Sequence, residues 1–159
     1  MENNDILRRI RYIFNYGDDP MMNIFDLAKH EVTRSLLSDW LRKDDEPTFE
    51  IISDYQLAVF LNGLIILHRG PQDGPTPEPE EVLTNNIILR KIKIALNLKT
   101  EEVVDLMIAG GCKVTATELS AFMRRPNHRH YKELNNQYLR NFLTGLQQKH
   151  RPKVEKDLE

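Results

Sequence analysis

Asn3-Asn4-Asp5-Ile6-Leu7-Arg8 and Asn85-Asn86-Ile87-Ile88-Leu89-Arg90 are nearly the same phrase written twice. Displaced by 82 positions, residues 3–69 lie on residues 85–151 without a gap, and 19 of the 67 aligned positions are identical. Val32-Thr33 meets Val114-Thr115, Leu37-Ser38 meets Leu119-Ser120, and His68-Arg69 meets His150-Arg151. An internal period of this kind dictates architecture before any local pattern does. A lone domain of about 60 residues buries only about 60% of its unfolded surface and is marginal. The two copies are therefore expected to pack together about a pseudo-twofold axis.

Within each copy the apolar spacing predicts four helices. The first runs over 5–16 and 87–98, with Ile6, Leu7, Ile10, Ile13 and Phe14 on one face. Asn4 and Asn86 are expected to cap it, since an Asn side chain accepts from free first-turn amides. The second starts after Asp18 and Thr100, taken as caps, and runs to about Lys29 and Ala109. The third starts at Thr33 and Thr115, where Thr115-Ala116-Thr117-Glu118 reads as a capping box. It is expected to reach Lys43 and Arg125, with Pro126 as the stop. The fourth, over 54–67 and 136–149, repeats Leu57, Phe60, Leu61 and Leu64 as Leu139, Phe142, Leu143 and Leu146. Gly63 and Gly145 on it cost about 1 kcal/mol each against Ala. Their recurrence predicts a close helix crossing.

The expected organisation is repeat 1 over 1–69, a Pro-rich acidic linker over 70–83, repeat 2 over 84–151 and a tail over 152–159. Prolines as dense as Pro71, Pro75, Pro77 and Pro79 favour an extended connection. Leu158-Glu159 reads as a cloning scar. Only residues 48–52 look strand-like. The fold class is all-α: two tandem four-helix repeats with helix-turn-helix-like cores.

The composition excludes several functions. Cys112 is the only cysteine, so no intrachain disulfide or cysteine-based zinc site can form. No stretch approaches the roughly 18 apolar residues of a membrane span. The acidic opening 1–5 is unlike an export signal, and a cytoplasmic setting is expected. No phosphate-cradling Gly loop, nucleophile elbow or paired acids appear, so neither catalysis nor a cofactor is expected. His128 and His130 lack a third ligand at useful spacing. Lys113 beside Cys112 favours a lowered thiol pKa, although an idle thiol is the simpler reading. For His68 and His150 at a helix end, a cation suited to the dipole is sufficient explanation.

The net charge of −2 hides an imbalance. Residues 1–70 carry −4 and residues 84–151 carry +7. The densest cationic run is 124–132: Arg124, Arg125, His128, Arg129, His130, Tyr131 and Lys132 are candidate nucleic-acid ligands. Arg90, Lys91 and Lys93 join them if the first helix faces the same way. Cations bind phosphates and a tyrosine stacks on a base. The aligned run 42–50 is acidic, and pairing between the two runs is the bland alternative.

Helices two and three resemble a helix-turn-helix, with Val32, Leu37 and Trp40 matched by Val114, Leu119 and Phe122. Arg34, Ser35, Ser38 and Asp39, or Ala116, Thr117, Ser120 and Arg124, would then face bases. Two such units would read a duplex if their third helices sat about 34 Å apart. Core packing of three helices accounts for the same pattern.

The repeated Asn-Asn-x-Ile-Leu-Arg opening, the Arg69-Gly70-Pro71 exit, and Arg125-Pro126-Asn127-His128 followed by Tyr131 resemble the YehS-like family. These are small bacterial proteins built from a tandem domain of unknown function. Asn127 stands where that family is expected to have Gly. The resemblance spans residues 3–151 and implies an all-helical tandem repeat. It implies no activity and no catalytic residue. Two readings stay open: a non-enzymatic module that binds DNA or RNA through repeat 2, and a protein-interaction adaptor using the groove between repeats. Apolar residues exposed along the seam, with scattered basic side chains, would favour the adaptor.

Overall fold

The computed structural model describes residues 1–71, 73–75 and 77–151; the proposed scar at 158–159 lies outside them. Among the described residues eight helices follow one another: α1 (Asn3–Phe14), α2 (Asp18–Leu27), α3 (Arg34–Leu41), α4 (Asp54–Arg69), α5 (Asn85–Ala95), α6 (Thr100–Ala109), α7 (Ala116–Met123) and α8 (Asn136–His150). Among the described residues there is no strand: of the strand-like residues 48–52, Thr48 lies in a turn and 49–52 belong to no regular element.

Helix starts correct the sequence reading. α1 and α5 begin two residues before the expected start, after Glu2 and Thr84. Thr84 is the true cap of α5 and accepts from Ile87 N at 3.2 Å. Asn4 and Asn86 therefore sit inside the first turn. Both are buried and pinned to the loop before the fourth helix. Asn4 Nδ2 donates to Trp40 O at 2.9 Å and Glu50 O at 2.8 Å, while its Oδ1 accepts from Ile52 N at 3.3 Å. Asn86 repeats all three bonds with Phe122 O, Lys132 O and Leu134 N at 3.0, 2.8 and 2.9 Å. Asp18 and Thr100 are first helical residues rather than caps, the caps being Gly17 and Lys99. The box at Thr115 and Glu118 forms as expected.

Helix ends also move. Asn15 and Asn97 adopt the left-handed conformation, with φ of 55° and 54°, and terminate α1 and α5 there. α3 and α7 stop at Leu41 and Met123, two residues short of expectation. The cause lies on the first helix of each repeat. Arg8 donates to Arg42 O at 2.8 Å, and Arg90 to Met123 O at 2.7 Å. Together with the buried asparagines they take carbonyls that would otherwise await another turn. Pro126 lies beyond the stop and does not cause it.

α4 and α8 are the central helices. α4 packs on α1, α2 and α5; α8 packs on α5, α6 and α1. Leu61 and Leu143 are fully buried, as are Trp40 and Phe122. The expected close crossing is present twice. A Cβ on Gly63 would lie 1.9 Å from Ile24 O, and one on Gly145 1.9 Å from Leu106 O. Repeat 2 adds a second approach, with Gly110 against Asn141 O at 1.8 Å from an added Cβ. At the aligned places repeat 1 has Ala28 and Val59, so its α2 and α4 touch closely at one point rather than two.

The repeats join through α1 with α8 and α5 with α4, which is the pairing a twofold axis produces. Polar bonds obey the same axis. Arg9 donates to Thr144 Oγ1 at 3.0 Å, and Lys91 to Asn62 Oδ1 at 2.6 Å. Arg151 donates to Tyr12 O at 3.0 Å, and Arg69 to Ile94 O at 3.1 Å. The last pair places a guanidinium at the negative end of the other repeat's first helix, where the dipole favours it. Arg69 and Arg151 thus serve the ends of α5 and α1, while His68 and His150 lie in the last turns of α4 and α8. Burial pushes His68 below the ordinary imidazole value; burial, Lys149 and His68 do the same to His150.

Candidate nucleic-acid interface

The basic run leaves the C-terminus of α7 as an exposed loop. Arg124, Arg125, His128, Arg129 and His130 are all exposed, and Tyr131 is half-buried. Two turns shape it, closed by His128 N on Arg125 O and Tyr131 N on His128 O, both at 2.9 Å. Its far end is fixed by Asn86 on Lys132 O. The fold thus holds the loop at both ends while its cations face solvent.

Charge within the loop is largely unanswered. Among the described residues, the only carboxylate within ion-pair distance of it is Glu118, 3.7 Å from Lys132. The acidic run of repeat 1 is occupied locally: Arg42 pairs with Asp39 and Glu46, and Glu46 also accepts from Lys43 N. No ion pair joins the two runs among the described residues. His128 lies 3.2 Å from Arg124 Nη1 through Nε2 and 3.0 Å from His130 N through Nδ1. A neutral imidazole has one lone-pair nitrogen, so it accepts from only one of them. Lost hydration, then the charges of Arg124 and His130, hold His128 below the ordinary imidazole value. Among the described residues no three His, Cys, Asp or Glu side chains gather in metal-binding range.

Arg90 and Lys91 do lie on the loop's side of the molecule, in different roles. Arg90 is half-buried and reaches Arg124 O at 3.3 Å. Lys91 is 9% exposed and forms an ion pair with Glu80 of the linker at 3.0 Å, so it is a seam residue and not a surface cation. Lys93 is half-exposed and does not line the groove that the other two share. That groove, of about 390 Å³, runs from the seam at Asn62 and Lys91 past Arg90 to Arg124, Pro126 and Tyr131. Sequence reasoning missed Asn62 and Glu80, because nothing along the chain marks two residues 18 positions apart as partners of one lysine.

The third helices are less suited to reading bases. Arg34 is held by Asp18 and Asp19, and Asp39 lies against Arg42. Ala116, Thr117 and Ser120 are exposed and carry no charge. Cys112 is half-buried; burial raises its thiol pKa rather than lowering it, and Sγ donates to Met107 O at 3.2 Å.

Fold and site together define a tandem-duplicated helical protein whose second copy carries a cationic, groove-bearing face. The chain belongs to the family described as "Protein of unknown function (DUF1456)", which matches residues 3–70 and 85–151. It is 40% identical over 147 residues to "Uncharacterized protein YehS" of Escherichia coli (strain K12), covering 92% of this chain and 94% of that protein. No solved structure matches it. No helix among the described residues is long and apolar enough to cross a membrane.

Proposed function

We propose that the protein is a non-enzymatic binding module that holds nucleic acid on its second repeat. One observation carries the reading: Arg124, Arg125 and Arg129 stand exposed on a loop anchored at both ends, without a carboxylate on any of the three among the described residues. Fixed, unpaired cations gain most from releasing the counterions of a phosphate backbone. The cations are gathered on one loop rather than scattered, which supports nucleic acid over a protein-interaction adaptor as the ligand class. The helix-turn-helix mode receives less support, since the exposed face of α7 offers hydroxyls and a methyl but no cation before Arg124.

The test is a binding titration with duplex DNA and with structured RNA at two salt concentrations. Four phosphate contacts predict a loss of about a hundredfold in affinity between about 50 and about 200 mM salt. Arg124→Ala/Arg125→Ala/Arg129→Ala removes three of them and should flatten that slope. Absence of binding at low salt, or an unchanged slope in the variant, would reject the reading.

A further inference from the structure

The groove at the repeat seam contains a buried donor that finds no acceptor among the described residues. Lys91 can only donate, so the Asn62 atom 2.6 Å from its Nζ is the carbonyl oxygen. That fixes the amide. Asn62 is 7% exposed, and its Nδ2 has no hydrogen-bond partner among the described residues. A buried orphan donor is rare enough in folded proteins to require an explanation. Asn62 lines the groove, whose volume of about 390 Å³ falls in the range of small-ligand pockets.

The rest of the lining says what would satisfy that donor. Ile65, Ile87, Ile94, Pro126 and Tyr131 make the groove mostly apolar. The twofold-related places carry Gln147 of repeat 2 and Asp5, Tyr12, Asp44 and Phe49 of repeat 1, so this surface stands on one side of the axis only. Glu80 neutralises Lys91 at the seam end, at 3.0 Å. The Lys91–Glu80 pair is thus neutral, while Arg90, held on Met123 O, and Arg124 add positive charge to the lining. A neutral, partly apolar group with an acceptor edge fits beside Asn62, and its attached anion fits beside Arg124.

We infer that the groove receives one unstacked base of a single-stranded nucleic acid. An acceptor on the base edge takes the hydrogen bond from Asn62 Nδ2, Tyr131 supplies ring contact, and the flanking phosphates meet Arg124 and its neighbours. Every base carries acceptors and an aromatic face, whereas a duplex keeps both engaged in pairing and stacking. The inference rests on the nucleic-acid reading above and narrows it to single strands.

Fluorescence anisotropy with a labelled mixed-sequence strand of about 12 nucleotides, and with its duplex, tests this on the full chain. Single strands should bind about tenfold more tightly than the duplex, the contribution of one stacked base. Tyr131→Leu removes the ring from a half-buried lining position and keeps its apolar bulk, so the fold should tolerate it. It should abolish the preference and leave duplex affinity unchanged. Equal affinity for both forms, or a preference that survives Tyr131→Leu, would overturn the groove's role while leaving the basic loop intact. Failure of both forms to bind at low salt would overturn both proposals.

Discussion

Asn4 and Asn86 do work that a primary amide suits and a capping side chain does not: two donors and an acceptor, all spent on backbone 36 to 48 residues away. Asn86→Ala would leave Phe122 O, Lys132 O and Leu134 N without their partner. Buried groups left unmade cost about 1–3 kcal/mol each before relaxation and water entry. We expect Asn86→Ala to destabilise the protein by about 3 kcal/mol in urea denaturation, and Asn4→Ala similarly. A loss below about 1 kcal/mol would show that water replaces the amide. The duplicated asparagines were legible in the sequence as special residues. Their role was not, because cap preference is a local rule and these bonds are long-range. Trp40 gives the converse case. It is core, as its spacing suggested, yet its Nε1 has no acceptor among the described residues, and the other copy has Phe122 there.

At the scale of the element, the fourth helix was the most legible part of the chain. Its apolar face and its glycine recur, and a residue that weakens a helix is kept twice only where something crowds it. Gly145→Ala tests this directly. Alanine favours the helix by about 1 kcal/mol, but its Cβ would sit 1.9 Å from Leu106 O. Backbone cannot yield there as a flexible side chain would, so overpacking should win by about 2–3 kcal/mol. The expected result is a lower thermal midpoint for Gly145→Ala; a rise would mean that α6 and α8 slide apart cheaply. The ends of α3 and α7 were misread for an opposite reason. Nothing within either helix stops it; side chains of Arg8, Arg90, Asn4 and Asn86 on another element do.

For the whole molecule, the twofold pairing followed from the period, and the charge imbalance pointed to the second copy. What stayed hidden was the seam, where partners such as Lys91 and Asn62 come from different repeats. The seam also holds the histidines. His68, His150, Arg69 and Lys149 line one cleft of about 620 Å³ with Phe14 of α1. Phe14 lies against both imidazoles, at ring separations of 5.8 and 4.9 Å, and Tyr16 Oη is 3.2 Å from His68 Nε2. Both histidines are held below their ordinary value of about 6.5. The folded protein therefore binds fewer protons than the unfolded chain in the window beneath that value. Stability must fall as pH drops through about 6.5, and the loss levels off once the folded imidazoles also titrate. His68→Gln/His150→Gln removes both groups while keeping polar side chains. Denaturation midpoints between about pH 7 and pH 5 should decline less steeply in this variant than in the wild type. Parallel curves would mean that the two imidazoles titrate freely in solvent, and that the cleft between the repeats is open enough to hydrate them.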